Sequence, residues 1–488
     1  MKPSKLTIII WTIIALLGVI SYIVPQGGWT LGNWSFRWPT LTDMLEGNSS
    51  SKQDSILTDE FLSLDTLVVT DSTSLSHDTI PTQHISSPVV AVPLPNVVVH
   101  DTDTRVHLLA FYQALEHAHQ MPVRVVHYGD SQIEEDRISN VLREQWQKKY
   151  GGGGVGLIPL HQTIPTRTLR QWLSIDGVVQ TTQQGPKRYI VYGPKSMRRD
   201  DGMYGVMGQV ACMDSAWVAG SEKVTVNIMP MDKKEKTYNY FNQVRLLADS
   251  IQGKVILPNH TSIDLSPQQI AQLPDSTTQC EIQLQGRGNV YGLSLETPIG
   301  VMVDNIPMRG CSGNIFTRID STQLASYYQQ TNTRLIILQY GGNMIPQTQN
   351  PSTLDAYVYS LKQHIRYLRS CAPNAAILFI GPSDMSTRID GQMTTYPLVP
   401  YLDRILQRMA QQEKIAYWSM YHAMGGYDSM VEWNKKGLAG NDHIHFTRAG
   451  AKKIGKILFD WIDSYQYPRP AADSIFTDTI NIDTTFVR

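Results

Sequence analysis

The sequence has almost no net charge and few cysteines. Its 42 lysines and arginines nearly balance 43 aspartates and glutamates, which leaves a net charge of −1. Nucleic-acid-binding proteins normally present a basic face to the phosphates, so this balance gives no reason to expect a nucleic-acid partner. The 4 cysteines lie far apart, and no C-x-x-C pair or Cys/His cluster has the spacing of a metal site. Four cysteines fit an exported protein, but they allow three pairings and the sequence dictates none.

A Walker-type phosphate loop is also missing. Gly151 to Gly154 form a glycine run, but no Gly-Lys-Ser/Thr sequence follows it, so we interpret the run as a flexible loop. The chain has 488 residues and an ordinary 42% hydrophobic composition, which is enough for more than one core.

An uncharged run covers residues 6–24, close to the ~20 residues that cross a bilayer. Lys2 and Lys5 precede it and place the N-terminal end in the cytoplasm. A cleaved signal peptide has a shorter apolar core and an A-x-A-like site, and neither is evident. The pattern favours a retained transmembrane signal anchor with the rest of the chain outside the membrane.

Polar segments lie on both sides of the predicted globular part. Residues 25–96 predict an extended linker, because Ser, Thr and Asp dominate from about residue 46 and cannot bury a core. Residues 468–488 form a similar tail, whose alternating apolar residues predict either an edge strand or disorder.

Strand and helix patterns alternate in two parts of the chain, 97–165 and 297–467. Such alternation is typical of an α/β fold, in which a parallel sheet has helices on both faces. The predicted strands are Val123–Val126, Val301–Asn305, Arg334–Gln339, Ala375–Ile380 and Lys414–Trp418. The predicted helices are His107–His119, one that starts near Glu134 and ends near Lys149, Asp355–Leu368, Leu398–Gln411 and Arg448–Tyr465. In the first helix, Leu108, Leu109, Phe111, Tyr112 and Leu115 are expected to point inward.

Between these parts, residues 166–296 show short alternating runs separated by turn residues. Seven such runs predict a β-sandwich inserted into the α/β domain. They are Lys187–Tyr192, Tyr204–Met213, Lys223–Met229, Gln243–Leu247, Gly253–Leu257, Gln279–Leu284 and Asn289–Leu295.

Ser131 stands where the first predicted strand passes into a helix. A serine at such a turn can be exposed as a nucleophile, with backbone N–H groups of the new helix facing an oxyanion. A purely structural alternative is that Asp130 or Ser131 caps the helix, with Glu134 completing a Ser-x-x-Glu capping box.

Three further loops at or beside predicted strand ends carry suitable partners. Gly313 lets a backbone N–H approach a reacting atom, and the amide of Asn343 can donate to the same point. His445 can provide a general base, and Asp442 can provide the carboxylate that orients it. Taken alone, each of these two is more simply a solvated or helix-capping residue.

Together these blocks resemble the SGNH (GDSL-type) hydrolase family. Gly129-Asp130-Ser131-Gln132 is similar to the first block, with Gln in place of the commonest Leu. Arg309-Gly310-Cys311-Ser312-Gly313-Asn314 is similar to the second, and Gly341-Gly342-Asn343 to the third, although Met344 replaces a frequent Asp. Asp442-His443-Ile444-His445-Phe446-Thr447 is the most specific match. The resemblance implies a flavodoxin-like three-layer α/β sheet, here with the inserted sandwich and a preceding transmembrane helix.

The resemblance also implies the residue roles. Ser131 is the nucleophile, His445 the general base and Asp442 its orienting partner. Ser131 N–H, Gly313 N–H and the Asn343 amide form the oxyanion hole, with Gly310 as the second choice for the glycine. No metal or organic cofactor is implied.

Other residues near these blocks have alternative interpretations. His443 competes with His445 for the base role, but the family spacing favours His445 and turns His443 away. His127 is expected to pack at the strand end. Tyr340 and Trp433 are expected either to line a pocket or to belong to the core.

An SGNH domain interrupted by a sandwich resembles bacterial peptidoglycan O-acetylesterases, in which the sandwich is carbohydrate-binding-like. This architecture implies removal of acetyl groups from an envelope glycan in the periplasm, by an enzyme held in the bacterial inner membrane. Two alternatives remain open: an O-acetyltransferase that works with a membrane-bound acyltransferase partner, and a non-catalytic glycan-binding module. In the sandwich, Trp217, Tyr238 and Tyr240 are candidate glycan contacts, although burial is the simpler role for each.

Overall fold

The computed structural model describes residues 29–31, 34–36 and 102–466, with gaps at 176, 181–184, 214–222, 232–233 and 276. The predicted anchor 6–24, most of the linker 25–96, Trp217 and the tail 468–488 therefore lie outside the described residues. Among the helices of the described ranges, none is both long enough and apolar enough to cross a bilayer.

The described residues that precede position 89 belong to a separate unit. Within it, β1 (Trp29–Leu31) and β2 (Trp34–Phe36) pair as a short antiparallel hairpin, inside the segment predicted to be linker.

The remaining described residues contain nineteen strands. They are β3 (Pro122–Gly129), β4 (Gly156–Ile158), β5 (Leu169–Ile175), β6 (Val178–Val179), β7 (Lys187–Ile190), β8 (Gln209–Met213), β9 (Val224–Pro230), β10 (Gln243–Ala248), β11 (Ile251–Ile256), β12 (Ser262–Leu265), β13 (Ala271–Gln272), β14 (Cys280–Gly286), β15 (Gly288–Glu296), β16 (Gly300–Pro307), β17 (Thr333–Gln339), β18 (Ala376–Ile380), β19 (Ser386–Ile389), β20 (Gln392–Thr395) and β21 (Ala416–Trp418).

Eight α-helices accompany these strands in the described residues. They are α1 (Thr102–Glu116), α2 (Ser139–Tyr150), α3 (Ser321–Gln330), α4 (Pro351–Cys371), α5 (Val399–Glu413), α6 (Met420–Met424), α7 (Ser429–Lys435) and α8 (Arg448–Ser464). Short 3-10 helices occur at Ser131–Asp136, Lys195–Met197, Thr237–Asn239, Phe316–Arg318 and Gly342–Met344.

A five-stranded parallel sheet forms the centre of the α/β part, in the order β16-β3-β17-β18-β21. Counted along the chain, this is the order 2-1-3-4-5 of flavodoxin-like folds. Side chains of α1, α2 and α8 pack on one face, and those of α3, α4 and α5 pack on the other. The predicted α/β fold with a parallel sheet is confirmed, and the loops after β16, β3 and β17 meet at its switch point.

Two antiparallel sheets occupy the region between the two α/β parts. One has the order β13-β10-β15-β8-β7 with β4 also paired to β15, and the other has the order β12-β11-β14-β9-β5-β6. Their inward side chains share one apolar cluster, which is how the two layers of a sandwich bury their faces. Each of the seven predicted runs overlaps one of these strands. Strand β4 begins at Gly156, ahead of the boundary predicted at residue 166.

A buried charge network joins the two kinds of sheet. Arg124 on β3 donates to Asp304 on β16 over 2.8 Å and also contacts Glu296 on β15. The backbone N–H of Leu157 on β4 donates to the same Asp304 carboxylate over 2.8 Å. Charges buried in this way are stable only when they are paired, so the network fixes the antiparallel strands against the parallel sheet.

Several local predictions are corrected by the structure. Helix α1 begins at Thr102 rather than His107, and Leu109, predicted to point inward, is 41% exposed. Tyr340 and Trp433 are buried in the core, which excludes the pocket-lining alternative. None of the four cysteines, all of which are described, forms a disulfide.

Candidate active site

The loop that carries Ser131 follows β3, and a 3-10 turn separates it from the next α-helix. Gly129 is closely packed, because a Cβ there would lie 3.0 Å from the side chain of Ile133 and 3.2 Å from the carbonyl of Gln339. Asp130 caps the 3-10 turn, since its Oδ1 accepts the backbone N–H of Gln132 at 2.9 Å. Helix α2 begins only at Ser139, so both the predicted helix start near Glu134 and the capping box are wrong. Ser131 is half-buried in this turn.

A hydrogen-bond chain links the three residues predicted to be catalytic. Ser131 Oγ lies 2.7 Å from His445 Nε2, and His445 Nδ1 lies 2.7 Å from Asp442 Oδ2. A carboxylate beside Nδ1 keeps the proton on that nitrogen, which leaves the lone pair of Nε2 to accept the serine hydroxyl. The chain therefore has the geometry in which a serine hydroxyl can transfer its proton to an imidazole.

Asp442 is held in its charged form. Partial burial raises its pKa, but the His445 ring and the backbone N–H groups of Ile444 and His445 donate to the carboxylate and lower the pKa to about 2. The backbone N–H groups lie 3.0 and 3.1 Å from Oδ1. Asp442 does not cap the following helix, because Thr447 is the N-cap of α8.

The loop that carries Asp442 and His445 is attached directly to the nucleophile loop. Gln132 Nε2 donates to the carbonyl of Ile444 over 2.6 Å and to Ser383 Oγ over 3.3 Å. His443 adopts a left-handed backbone with φ 54°, and its carbonyl accepts the N–H of Ser386 at 3.1 Å. Sequence reasoning missed the role of Gln132, although a polar residue in place of the usual Leu was a signal for it.

The predicted oxyanion donors lie beside this chain. Gly313 has φ 89°, and a Cβ there would lie 2.9 Å from the ring of Tyr340. Its N–H donates to Cys311 Sγ over 3.3 Å. Asn343 Nδ2 donates to Asp130 Oδ2 over 3.1 Å and to the Cys311 carbonyl over 3.0 Å. Both donors thus have acceptors within the protein, and a substrate oxygen has to replace them.

Asp130 is an unusual carboxylate, because it is only 5% exposed and, in the described part of the chain, no cationic side chain is bonded to it. Burial raises its pKa to about 6, although the Gln132 N–H and the neighbouring His445 ring lower it. Its bond to Asn343 joins the nucleophile loop to the loop after β17. Sequence reasoning did not identify this role.

Three acidic residues after Ser131 hold the loop in place, because each pairs with a different arginine. Glu134 accepts two bonds from Arg309, each 2.7 Å, which connects the loop to the second block. Glu135 pairs with Arg167 at 2.8 and 2.9 Å. Asp136 pairs with the buried Arg143, while Glu135 and Asp136 both adopt φ 59°. Backbone strain of this kind persists where surrounding contacts determine it.

His127 occupies the buried end of β3 and does not belong to the hydrogen-bond chain. Its ring contacts Ser139 Oγ at 2.9 Å and Gln339 at 3.2 Å. Burial lowers its pKa to about 3, so it is neutral and packs at the strand end as predicted. Within the described ranges, no group of His, Cys, Asp and Glu has the arrangement of a metal site.

Comparisons with known proteins identify a family domain and a shared fold. Residues 275–453 match the model of the GDSL-like lipase/acylhydrolase family, a range that contains Gly313, Asn343, Asp442 and His445 but not Ser131. A solved structure of a peptidoglycan O-acetylesterase matches with a TM-score of 0.57 at 19% identity, covering 74% of this chain and 96% of that one, and therefore shows a shared fold.

Two smaller esterases match less of the chain. A family 3 carbohydrate esterase of Clostridium thermocellum has a TM-score of 0.24 at 17% identity, covering 33% of this chain and 71% of its own. An acetyl xylan esterase has a TM-score of 0.25 at 12% identity, covering 33% and 81%. These scores are too low to support an argument, and the curated proteins give no match. The family match shows that the chain carries a domain of the GDSL-like lipase/acylhydrolase (SGNH) family and is a hydrolase of ester bonds.

Proposed function

We propose that this chain removes O-acetyl groups from a cell-envelope glycan, with peptidoglycan as the first polymer to test. The observation that carries the proposal is the hydrogen-bond chain from Ser131 through His445 to Asp442, with both distances at 2.7 Å. The shared fold with a peptidoglycan O-acetylesterase supports the choice of polymer. No curated relative supports it independently.

In the first half-reaction, Ser131 Oγ attacks the acetyl carbonyl while His445 Nε2 takes the hydroxyl proton. Asp442 holds the Nδ1 proton and stabilises the imidazolium that forms. The tetrahedral intermediate then expels the sugar oxygen, which receives the proton from His445 Nε2. The products of this step are a free sugar hydroxyl and an acetyl group bonded to Ser131.

In the second half-reaction, water attacks the acetyl group and gives its proton to His445. Collapse of the intermediate returns the proton to Ser131 Oγ and releases acetate. Both steps create an oxyanion, for which we assign the N–H groups of Ser131 and Gly313 and the amide of Asn343 as donors. The bonds of Gly313 to Cys311 and of Asn343 to Asp130 keep these donors near that point until a substrate oxygen replaces them.

The predicted location follows the same proposal. Residues 6–24 anchor the chain in the inner membrane, and the linker holds the catalytic part in the periplasm, near the polymer. The inserted strands between β4 and β15 recognise the polymer. No cofactor takes part in the chemistry.

The test is to incubate the full-length chain with O-acetylated peptidoglycan and, separately, with a chromogenic acetyl ester in the presence of unmodified glycan. Free acetate from the polymer supports the proposal. Acetate that appears on an unmodified glycan instead identifies a transferase, and a chain that cleaves neither substrate contradicts both.

A further inference from the structure

The 3-10 turn that begins at Ser131 ends in an unusual backbone conformation. Glu135 and Asp136 both have a φ of 59°, in the left-handed region that residues other than glycine rarely adopt. Two consecutive residues keep such a conformation only where contacts from elsewhere in the fold impose it. The position of Ser131, four residues before Glu135, therefore depends in part on the groups that hold these two acidic residues.

Two residues at the start of an inserted strand supply contacts of this kind. Arg167 donates its backbone N–H to the Glu135 carbonyl over 3.0 Å, and its Nε and Nη2 donate to Glu135 Oε2 over 2.9 and 2.8 Å. Thr168 Oγ1 donates to Asp136 Oδ2 over 2.9 Å. The carbonyl of Thr168 accepts the N–H of Met231, which continues the pairing of β5 with β9. The inserted antiparallel sheet therefore fixes the residues that hold the end of the turn.

Glu135 also links these contacts to the loop of the general base. Its Oε1 accepts Arg137 Nη2 at 3.3 Å, while Arg137 Nη1 donates to the carbonyl of Phe446 over 3.4 Å. Phe446 directly follows His445 in the chain. A contact network that begins at Arg167 therefore reaches the loops of both the nucleophile and the base.

We propose that the inserted domain helps to build the active site, with Arg167 as a positioning residue that acts through Glu135 to hold Ser131 against His445. The inference rests on the proposed ester hydrolysis at Ser131 and holds for any acetylated polymer. The rate of such a reaction depends steeply on the placement of nucleophile and base. The side chains of Arg167 and Glu135 are 19% and 38% exposed, and ion pairs this exposed contribute little to global stability. A loss of rate without a matching loss of stability is therefore the signature of this role.

The test compares turnover of a chromogenic acetyl ester by the full-length wild type and by Arg167→Gln. We expect kcat to fall about tenfold or more in the variant, while KM and the thermal midpoint stay close to those of the wild type. Arg167→Lys, which keeps a charged donor for Glu135 but not the guanidinium, should recover part of the rate. The matched control is Arg199→Gln, because Arg199 pairs with Asp201 elsewhere in the inserted domain at similar exposure. This control should keep the wild-type kcat.

A double-mutant cycle shows whether Arg167 acts through Glu135. Glu135→Gln should lower kcat by itself, and the double variant should be no slower than Glu135→Gln alone, because both changes remove the same contact. Hydrogen exchange gives a second readout that needs no catalysis. The amides of residues 131–137 should exchange faster in Arg167→Gln than in the wild type or in Arg199→Gln.

The proposal is overturned if Arg167→Gln keeps the wild-type kcat, if Arg199→Gln loses as much, or if the effects of the Arg167 and Glu135 changes are additive. Unchanged exchange at residues 131–137 would overturn it as well. A wild type that cleaves no acetyl ester would refute the proposed function instead, and the exchange comparison would still decide whether Arg167 holds the turn.

Discussion

Gln132 and the carbonyl of Ile444 are joined by a 2.6 Å hydrogen bond between loops 312 residues apart in the sequence. One loop carries Ser131 and the other carries Asp442 and His445. The bond therefore fixes the distance between nucleophile and base through the residue next to the nucleophile. Small displacements of reacting groups have large effects on rate. Removing this hydrogen bond therefore tests whether it positions Ser131 relative to His445.

We expect Gln132→Leu, which restores the commonest residue of the first block, to reduce kcat because Ile444 loses its donor. The loss should be about tenfold, since a displaced but intact catalytic chain remains. The measurement is kcat and KM on a small acetyl ester, with circular dichroism to verify folding. A variant as fast as the wild type would show that the bond has no positioning role.

Gly313 and Gly310 offer a matched pair for the second block. Both have positive φ, but a Cβ at Gly313 would meet the Tyr340 ring at 2.9 Å, whereas at Gly310 nothing lies within 4 Å. We expect Gly313→Ala to lower the free energy of unfolding by roughly 1–3 kcal/mol more than Gly310→Ala, because only the former overpacks the core. It should also lower kcat more strongly, since it displaces an assigned oxyanion donor.

Denaturant unfolding of both alanine variants measures the first effect, and ester turnover measures the second. If Gly310→Ala proved the more damaging of the two in turnover, the oxyanion glycine would have to be reassigned.

The two histidines of the last block provide another matched comparison. His445→Ala should reduce kcat by about a thousandfold or more, because it removes the proton acceptor of Ser131. His443→Ala should retain most of the rate, since the Ser131 hydroxyl contacts His445 and not His443. The opposite ranking in ester turnover would identify His443 as the base.

The sequence predicted those parts of the molecule that depend on local patterns. Continuous apolar runs predicted the parallel strands, because both faces of that sheet are buried. Alternation of apolar and polar residues predicted strands of the antiparallel sheets, because only one face of each is buried. The Asp-x-x-His spacing placed Asp442 and His445 within bonding distance, since a single loop turn spans it.

The parts that depend on distant residues were not predictable in this way. Helix α2 does not begin at Glu134 because Arg309 and Arg167, from far along the chain, hold Glu134 and Glu135 in other conformations. The contact of Asn343 with Asp130 likewise depends on the sheet order, which brings the ends of β3 and β17 together. Leu109 follows the helical period, but the other described residues leave 41% of it exposed.

Asp130 makes stability depend on pH in a defined direction. Its pKa is about 6 in the folded protein, against ~3.9 for an ordinary aspartate. Between pH ~4 and pH 6 the folded protein binds more protons at Asp130 than the unfolded chain does. The stabilisation that protonated Asp130 contributes to the folded state is therefore present below pH ~4 and is lost as the pH rises through 6. Asp130→Asn removes the titration. We therefore expect the stability of the wild type relative to the variant to fall between pH 4 and pH 7, by on the order of 1–3 kcal/mol.

Thermal unfolding of both proteins at the two pH values measures this difference. A difference that stays constant or grows with pH would mean that Asp130 does not have the raised pKa.

The most direct test of the whole account is acetate release from O-acetylated peptidoglycan by the full-length wild type and by Ser131→Ala at equal concentration. The wild type should release acetate, and the variant, with its fold verified by circular dichroism, should release less than about a thousandth as much per unit time. A folded variant that retains about a tenth of the wild-type rate would contradict the assignment of Ser131. A wild type that releases no acetate from this polymer would contradict peptidoglycan as the substrate.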